Sequence, residues 1–164
     1  MSEVERFRDA VDRYCVLSES LDDLSRYEFV VRLNAILPEL YRAALDLSDR
    51  FHDGPEPVSD SDQSSNDLYN QIQSRLTDRT EYRGVFDPWA HSEEAIDRSL
   101  ADDLSGIYDD LRMVRTDDRG DAGAWDWRFA FMHHWGAHAA QALLATHWLL
   151  HAVGERWLDP RETV

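Results

Sequence analysis

The chain contains no lysine: all 17 of its basic residues are arginine, set against 33 acidic ones, for a formal net charge of -16. This shortage of cations excludes the counterion-displacing contacts on which phosphate-backbone binding depends, so direct nucleic-acid binding is not expected. There is a single cysteine, Cys15. It can form no intramolecular disulfide and no multi-cysteine zinc site, and it is expected to be a small buried core residue. No hydrophobic run reaches bilayer length. The longest, Ala137 to Leu150, is interrupted by His138, Gln141, Thr146 and His147, which suits a buried helix better than a membrane span. The opening MSEVERFRDAVDRYC lacks the basic and apolar regions of a signal peptide. There is also no glycine-rich phosphate loop and no GxSxG elbow. These absences point to a cytoplasmic protein without a membrane partner.

What is present suffices for one core. The chain has 164 residues, 43% hydrophobic and 30% charged, values typical of a single globular domain. The acids are spread along the whole chain rather than gathered in a tail. Solubility or a saline habitat would produce that pattern, and an acidic exterior would also suit a basic protein partner.

Hydrophobic spacing is helical almost throughout and no segment alternates as a strand does. The expected fold is therefore all-α: a single-domain bundle of about six helices over 1–164, with a long buried C-terminal helix. Val4, Phe7, Val11 and Tyr14 mark a first helix. Phe29, Leu33, Ile36, Leu37, Leu40, Ala44 and Leu47 form a second series across Pro38, which lacks an amide hydrogen and is expected to start a new helix or kink the old one. HDGPEPVSDSDQSSN, residues 52–66, has no apolar period and is expected to be a mobile surface loop. Leu68, Ile72 and Leu76 mark a short helix. EYRGVFDPWAHS, residues 81–92, reads as an irregular connection, with Phe86 and Trp89 tucked into the core.

SLADDLSGIYDDLRMV, residues 99–114, is the clearest amphipathic helix, with Ser99 as its N-cap and Asp102 three residues on. At about 100° per residue, Asp102 and Asp109 point away from the apolar stripe, while Asp103 and Asp110 border it on the side of Gly106. Stabilisation of the first turn by the helix dipole would explain Asp102 and Asp103. It does not reach Asp110, which needs another reason. The last helix, from about Trp125 to Val153, carries apolar residues on nearly every side and is expected in the middle of the bundle. Within it lies FMHHWGAH, residues 131–138. His134 and His138 are four apart and share a face with Trp127, Gln141 and the small Ala130, Ala137 and Ala145, which leaves room for a ligand. His147 and His151 form a second such pair, but about 20 Å along the axis at ~1.5 Å per residue and facing nearly the opposite way, near the helix end and solvent.

These motifs carry a resemblance. YCVLSE at 14–19, LPELYRAALDL at 37–47, VFDP at 85–88, SLADDLSGIYDDL at 99–111 and WDWRFAFMHHWGAHAAQAL at 125–143 resemble the bacterial family catalogued as domain of unknown function 5063. The resemblance spans nearly the whole chain. It implies a small all-helical bacterial domain and brings no activity, cofactor or catalytic residue with it.

Three arrangements of the polar residues compete. His134 and His138 with Asp110 or Asp103 could form a two-histidine, one-carboxylate site for a divalent metal, although an i, i+4 histidine pair without HExxH is a weak signal. Trp127, Arg128, Trp135, Gln141 and the histidines could line a pocket, with Asp103 and Asp110 at its edge. Arg128 would then clamp a small anionic or aromatic ligand. In the third arrangement the same groups satisfy one another, with histidine donating to aspartate and Arg128 pairing with Asp103 or Asp110. Truncating His134 or Asp110 would then cost roughly 1–3 kcal/mol. Asp102, Asp103, Asp109 and Asp110 only approximate the paired acids of a helical pyrophosphatase. The expectation is a non-catalytic binding or regulatory module with an acidic surface. The alternative is a metal-dependent, hydrolase-like enzyme using the site between the 99–114 and 125–153 helices.

Overall fold

Two serine caps launch the first two helices. Ser2 and Ser25 each accept the amide of the third helical residue, Glu5 or Glu28, whose carboxylate accepts the cap amide in return. These reciprocal capping boxes satisfy amides that a helix start otherwise leaves unpaired. The computed structural model describes residues 1–50, 64–85, 89 and 94–153. Within them α1 is Glu3–Glu19, α2 is Arg26–Leu45, α3 is Ser64–Leu76 and α4 is Leu100–Thr116. The last helix, α5, is continuous but mixed: α-helical Asp121–Ala130, a π turn Phe131–Trp135, α-helical Gly136–Trp148 and a second π turn Leu149–Val153. Pro38 lies inside α2 without starting a new helix, so the described residues hold five helices where about six were expected. The first part of the expected loop, 52–63, lies outside the described residues, and 64–66 already belong to α3.

One core joins the helices. Phe7, Tyr14, Leu33, Leu37, Leu40, Leu104 and Trp135 are among its most deeply buried side chains, and α1, α2, α4 and α5 all meet there. Tyr14 donates its hydroxyl to the Leu104 carbonyl at 2.8 Å, a partner that a buried phenol requires. Cys15 is fully buried, and burial pushes its thiol up to about 12. It is an inert packing residue.

The segment between α3 and α4 departs from expectation. β1, Glu81–Gly84, pairs antiparallel with β2, Ile96–Ser99, with Tyr82 opposite Arg98 and Arg83 opposite Asp97. An ion pair of 2.9 Å between Arg83 and Asp97 fastens one rung. These strands have no apolar face for hydrophobic alternation to reveal, being held by ladder bonds and cross-strand pairs. Leu100 donates its amide to Thr80 at 2.7 Å, tying the strand pair to the start of α4. Trp89 is 86% exposed rather than tucked into the core, and Phe86 lies outside the described residues.

The apolar circumference of α5 is only half covered. Trp127, Phe131, Trp135, Ala139 and Ala142 are buried, whereas Phe129, Met132, Leu144 and Trp148 are exposed. Gly136 explains part of the local path. A Cβ there would stand 2.4 Å from the Phe131 carbonyl oxygen, so only glycine fits where the π turn folds its backbone back so closely.

Candidate functional site

Asp103, in the first turn of α4, is 1% exposed. A carboxylate so deeply buried is costly unless donors surround it, and three do. The Tyr82 hydroxyl donates to Oδ2. Arg98 Nη2 donates to Oδ1 at 2.8 Å, and His138 Nδ1 lies 2.7 Å from the same oxygen. Arg98 Nε also donates to the Tyr82 hydroxyl oxygen at 3.2 Å. The strand register is responsible: setting Tyr82 directly across from Arg98 delivers both side chains to one carboxylate. Burial pushes the Tyr82 phenol up, and its bond to Asp103 pushes the same way. Burial opposes the charge on Arg98, but its bonds to Asp103 and Tyr82 outweigh burial and raise it.

Two helical turns further along α4, Asp110 makes a second contact with α5. His134 Nδ1 lies 2.7 Å from Asp110 Oδ2, and here both side chains reach solvent, at 57% and 28% exposure. The two imidazoles stand edge-on, with ring centroids 5.0 Å apart. Between the two aspartates, a Cβ on Gly106 would have no atom within 4 Å. The face is therefore open there rather than closely covered by backbone. A carboxylate can only accept, so each Nδ1 carries the hydrogen, and in the neutral imidazole each Nε2 presents its lone pair. Chemically, the pair can accept hydrogen bonds, take up protons or bind a cation.

The other residues singled out by sequence are dispersed. Gln141 is nearest, donating weakly to the Val85 carbonyl at 3.4 Å and lying beside Gly84. Trp135 is core, stacked on Phe7 at 6.3 Å. Trp127 also packs on Phe7 and donates to Asp117 at 3.0 Å, beneath the guanidinium of Arg8. Arg119 holds the same Asp117. Burial opposes the Asp117 charge, but Arg119 and Trp127 prevail and keep its carboxyl below the usual range. Arg128 donates to the carbonyls of Ala44 and Leu45, capping α2 instead of pairing with Asp103 or Asp110. The π turn accounts for the misplaced tryptophan, because an extra residue in that turn shifts the helical phase between Trp127 and His134. Asp102 is exposed and Asp109 pairs with Arg112 at 3.3 Å, so the four aspartates of α4 do not converge.

Asp110 and Asp103 lie behind the imidazoles, at Nδ1, not beside the Nε2 atoms. Among the described residues, no group of three or more histidine, cysteine, aspartate or glutamate side chains is placed to hold a metal ion. A cleft of about 780 Å³ lies elsewhere, where residues 22–28 meet α3. Among the described residues no helix is long and apolar enough to cross a membrane.

Sequence reasoning missed Tyr82 and Arg98. Their one signal was the pair of short polar stretches, EYRG and IDRS, whose opposite charges match when aligned antiparallel.

The comparisons with known proteins concern fold and family. A family model described as Domain of unknown function (DUF5063) matches residues 1–152. A crystal structure of protein BF1032 from Bacteroides fragilis is similar with a TM-score of 0.74 and 18% identity, covering 92% of this chain and 94% of that one. At that identity the likeness shows the fold alone. No curated protein matches the chain.

Proposed function

The chain belongs to the family described as Domain of unknown function (DUF5063), and from that premise we propose a cytoplasmic, non-catalytic binding module. Its recognition face is the pair of aspartate-held imidazoles, His134 and His138. One observation carries the reading: both Nδ1 atoms lie 2.7 Å from carboxylates, which turns both Nε2 atoms away from the aspartates, as acceptors in the neutral rings. Such a face suits a ligand that donates hydrogen bonds or carries positive charge. The formal charge of -16 favours the same kind of ligand at longer range. Arg98 and Arg128 are engaged with Asp103 and with the end of α2, which argues against an anionic ligand. The ligand class we favour is a guanidinium or ammonium group on a basic partner protein.

A short arginine-containing peptide, titrated into the chain while the histidine ring nitrogens are followed by NMR, tests this. Shifts confined to His134 and His138, with affinity falling at least tenfold in His134→Gln, are expected. Binding that is indifferent to that substitution and lost on adding salt would reduce the interaction to general charge attraction. A second reading is favoured by the same Nδ1–carboxylate contacts, since carboxylates commonly support histidine ligands from behind. In that reading the Nε2 pair takes a divalent transition-metal ion. Cobalt(II) titration, read by visible absorption with and without His138→Gln, decides between the two.

A further inference from the structure

The outward side of α5 repeats a pattern. Phe129, His133, Ala137, Ala140, Leu144 and Trp148 are all exposed along one stripe, which covers about 28 Å at ~1.5 Å per residue. Phe129, Leu144 and Trp148 are each at least half exposed, as is the neighbouring Met132. Residues 129–153 include no aspartate, glutamate, lysine or arginine, in a chain where acids are otherwise dense. The stripe is also symmetric about the midpoint between 138 and 139. Phe129 mirrors Trp148, His133 mirrors Leu144 and Ala137 mirrors Ala140.

We propose that this stripe is the interface of a homodimer, in which α5 of one copy packs antiparallel on α5 of a second. A twofold interface must complement itself, and the mirrored order does so. Bulky ends meet bulky ends across the axis, and the central alanines let the two backbones approach. Charge selects the occupant. A basic partner finds no carboxylate on this stripe, and an anionic lipid surface finds no arginine or lysine on it. A second copy brings a matching neutral face. The four large side chains expose on the order of 100 Å² each. With the alanines and histidines between them, two copies approach the ~1,000 Å² at which specific interfaces begin. This interface is independent of the imidazole face and stands or falls separately from it.

Sedimentation equilibrium of the full chain is expected to show twice the chain mass at high micromolar concentration. The association should tighten as salt is raised, because screening removes the repulsion between two acidic bodies. Ala140→Glu, at an exposed helical position, should weaken association at least tenfold with an unchanged circular dichroism spectrum. Val16→Glu, at an exposed apolar site on α1, should leave it intact. The register is read by cysteine crosslinking. A mixture of His133→Cys and Leu144→Cys chains should form the mixed disulfide. Leu144→Cys alone should not, because its two copies would lie about 16 Å apart along the axis. A monomer at every concentration, a dimer indifferent to Ala140→Glu, or ready self-crosslinking of Leu144→Cys would each overturn the proposal.

Discussion

The Asp103–His138 and Asp110–His134 pairs have the same 2.7 Å separation and the same nitrogen turned to the carboxylate, yet they occupy opposite physical regimes. Asp103 is 1% exposed and also receives Tyr82 and Arg98, whereas Asp110 and His134 share only one contact at a wet edge. Geometry alone would rank them equal. Surroundings separate them: a buried charge that loses its partners has no water to turn to, while an exposed one does. The inner pair therefore joins β1, β2, α4 and α5, and the outer pair is free to exchange its solvent contacts for a ligand.

Asp103→Ala tests the buried side of that contrast and should have the largest effect. It strands Arg98, Tyr82 and His138 together, and breaking a buried pair of this kind costs about 3–5 kcal/mol. Urea denaturation monitored by tryptophan fluorescence measures the loss. A cost below about 1 kcal/mol, the ceiling typical of exposed pairs, would erase the distinction. Gly84→Ala should have a smaller effect on the same network without touching its polar atoms. The added methyl would stand 2.5 Å from Arg98 Cδ and 3.2 Å from Gln141 Oε1. Overpacking of this sort costs about 1–3 kcal/mol. The outcome expected by the same denaturation is the low end of that range, since the Arg98 stem can partly yield. An unchanged midpoint would mean that Arg98 is not locked in place.

How far these features were legible in the sequence depended on how far each residue acted locally. The Ser99 cap and the amphipathic 99–114 stretch anticipated α4, because hydrophobic spacing and capping act within a few residues. Helical spacing also placed Asp103, Asp110, His134 and His138 on sides that α4 and α5 turn toward each other. The strand pair was invisible because its partners are brought together by a backbone ladder and carry no apolar alternation, so Tyr82 and Arg98 went unnoticed. The π turn was equally hidden. No residue type announces it, and an unbroken 3.6-residue wheel carried across it grouped Trp127 with histidines it does not meet. The exposed side of α5 marks a third limit. An apolar surface made for another molecule and one made for the protein's own interior follow the same spacing, so Leu144 and Trp148 read from sequence as core.

Truncation of the outer pair should give the smallest effect and the sharpest form of the comparison. Spacing alone suggested a cost of roughly 1–3 kcal/mol for His134→Ala or Asp110→Ala, on the premise that both groups are buried. With His134 57% exposed, water can replace either partner, and each change should cost less than about 1 kcal/mol. A double-mutant cycle with both residues replaced should return a coupling within the same bound. The measurement also bears on function. A pair that contributes little to folding can be kept for what its Nε2 atom meets outside the domain, so near-normal stability in His134→Ala combined with lost peptide binding would assign the outer imidazole to recognition. A large stability loss would instead make it a second structural fastening between α4 and α5, and the two pairs would then differ in exposure without differing in role.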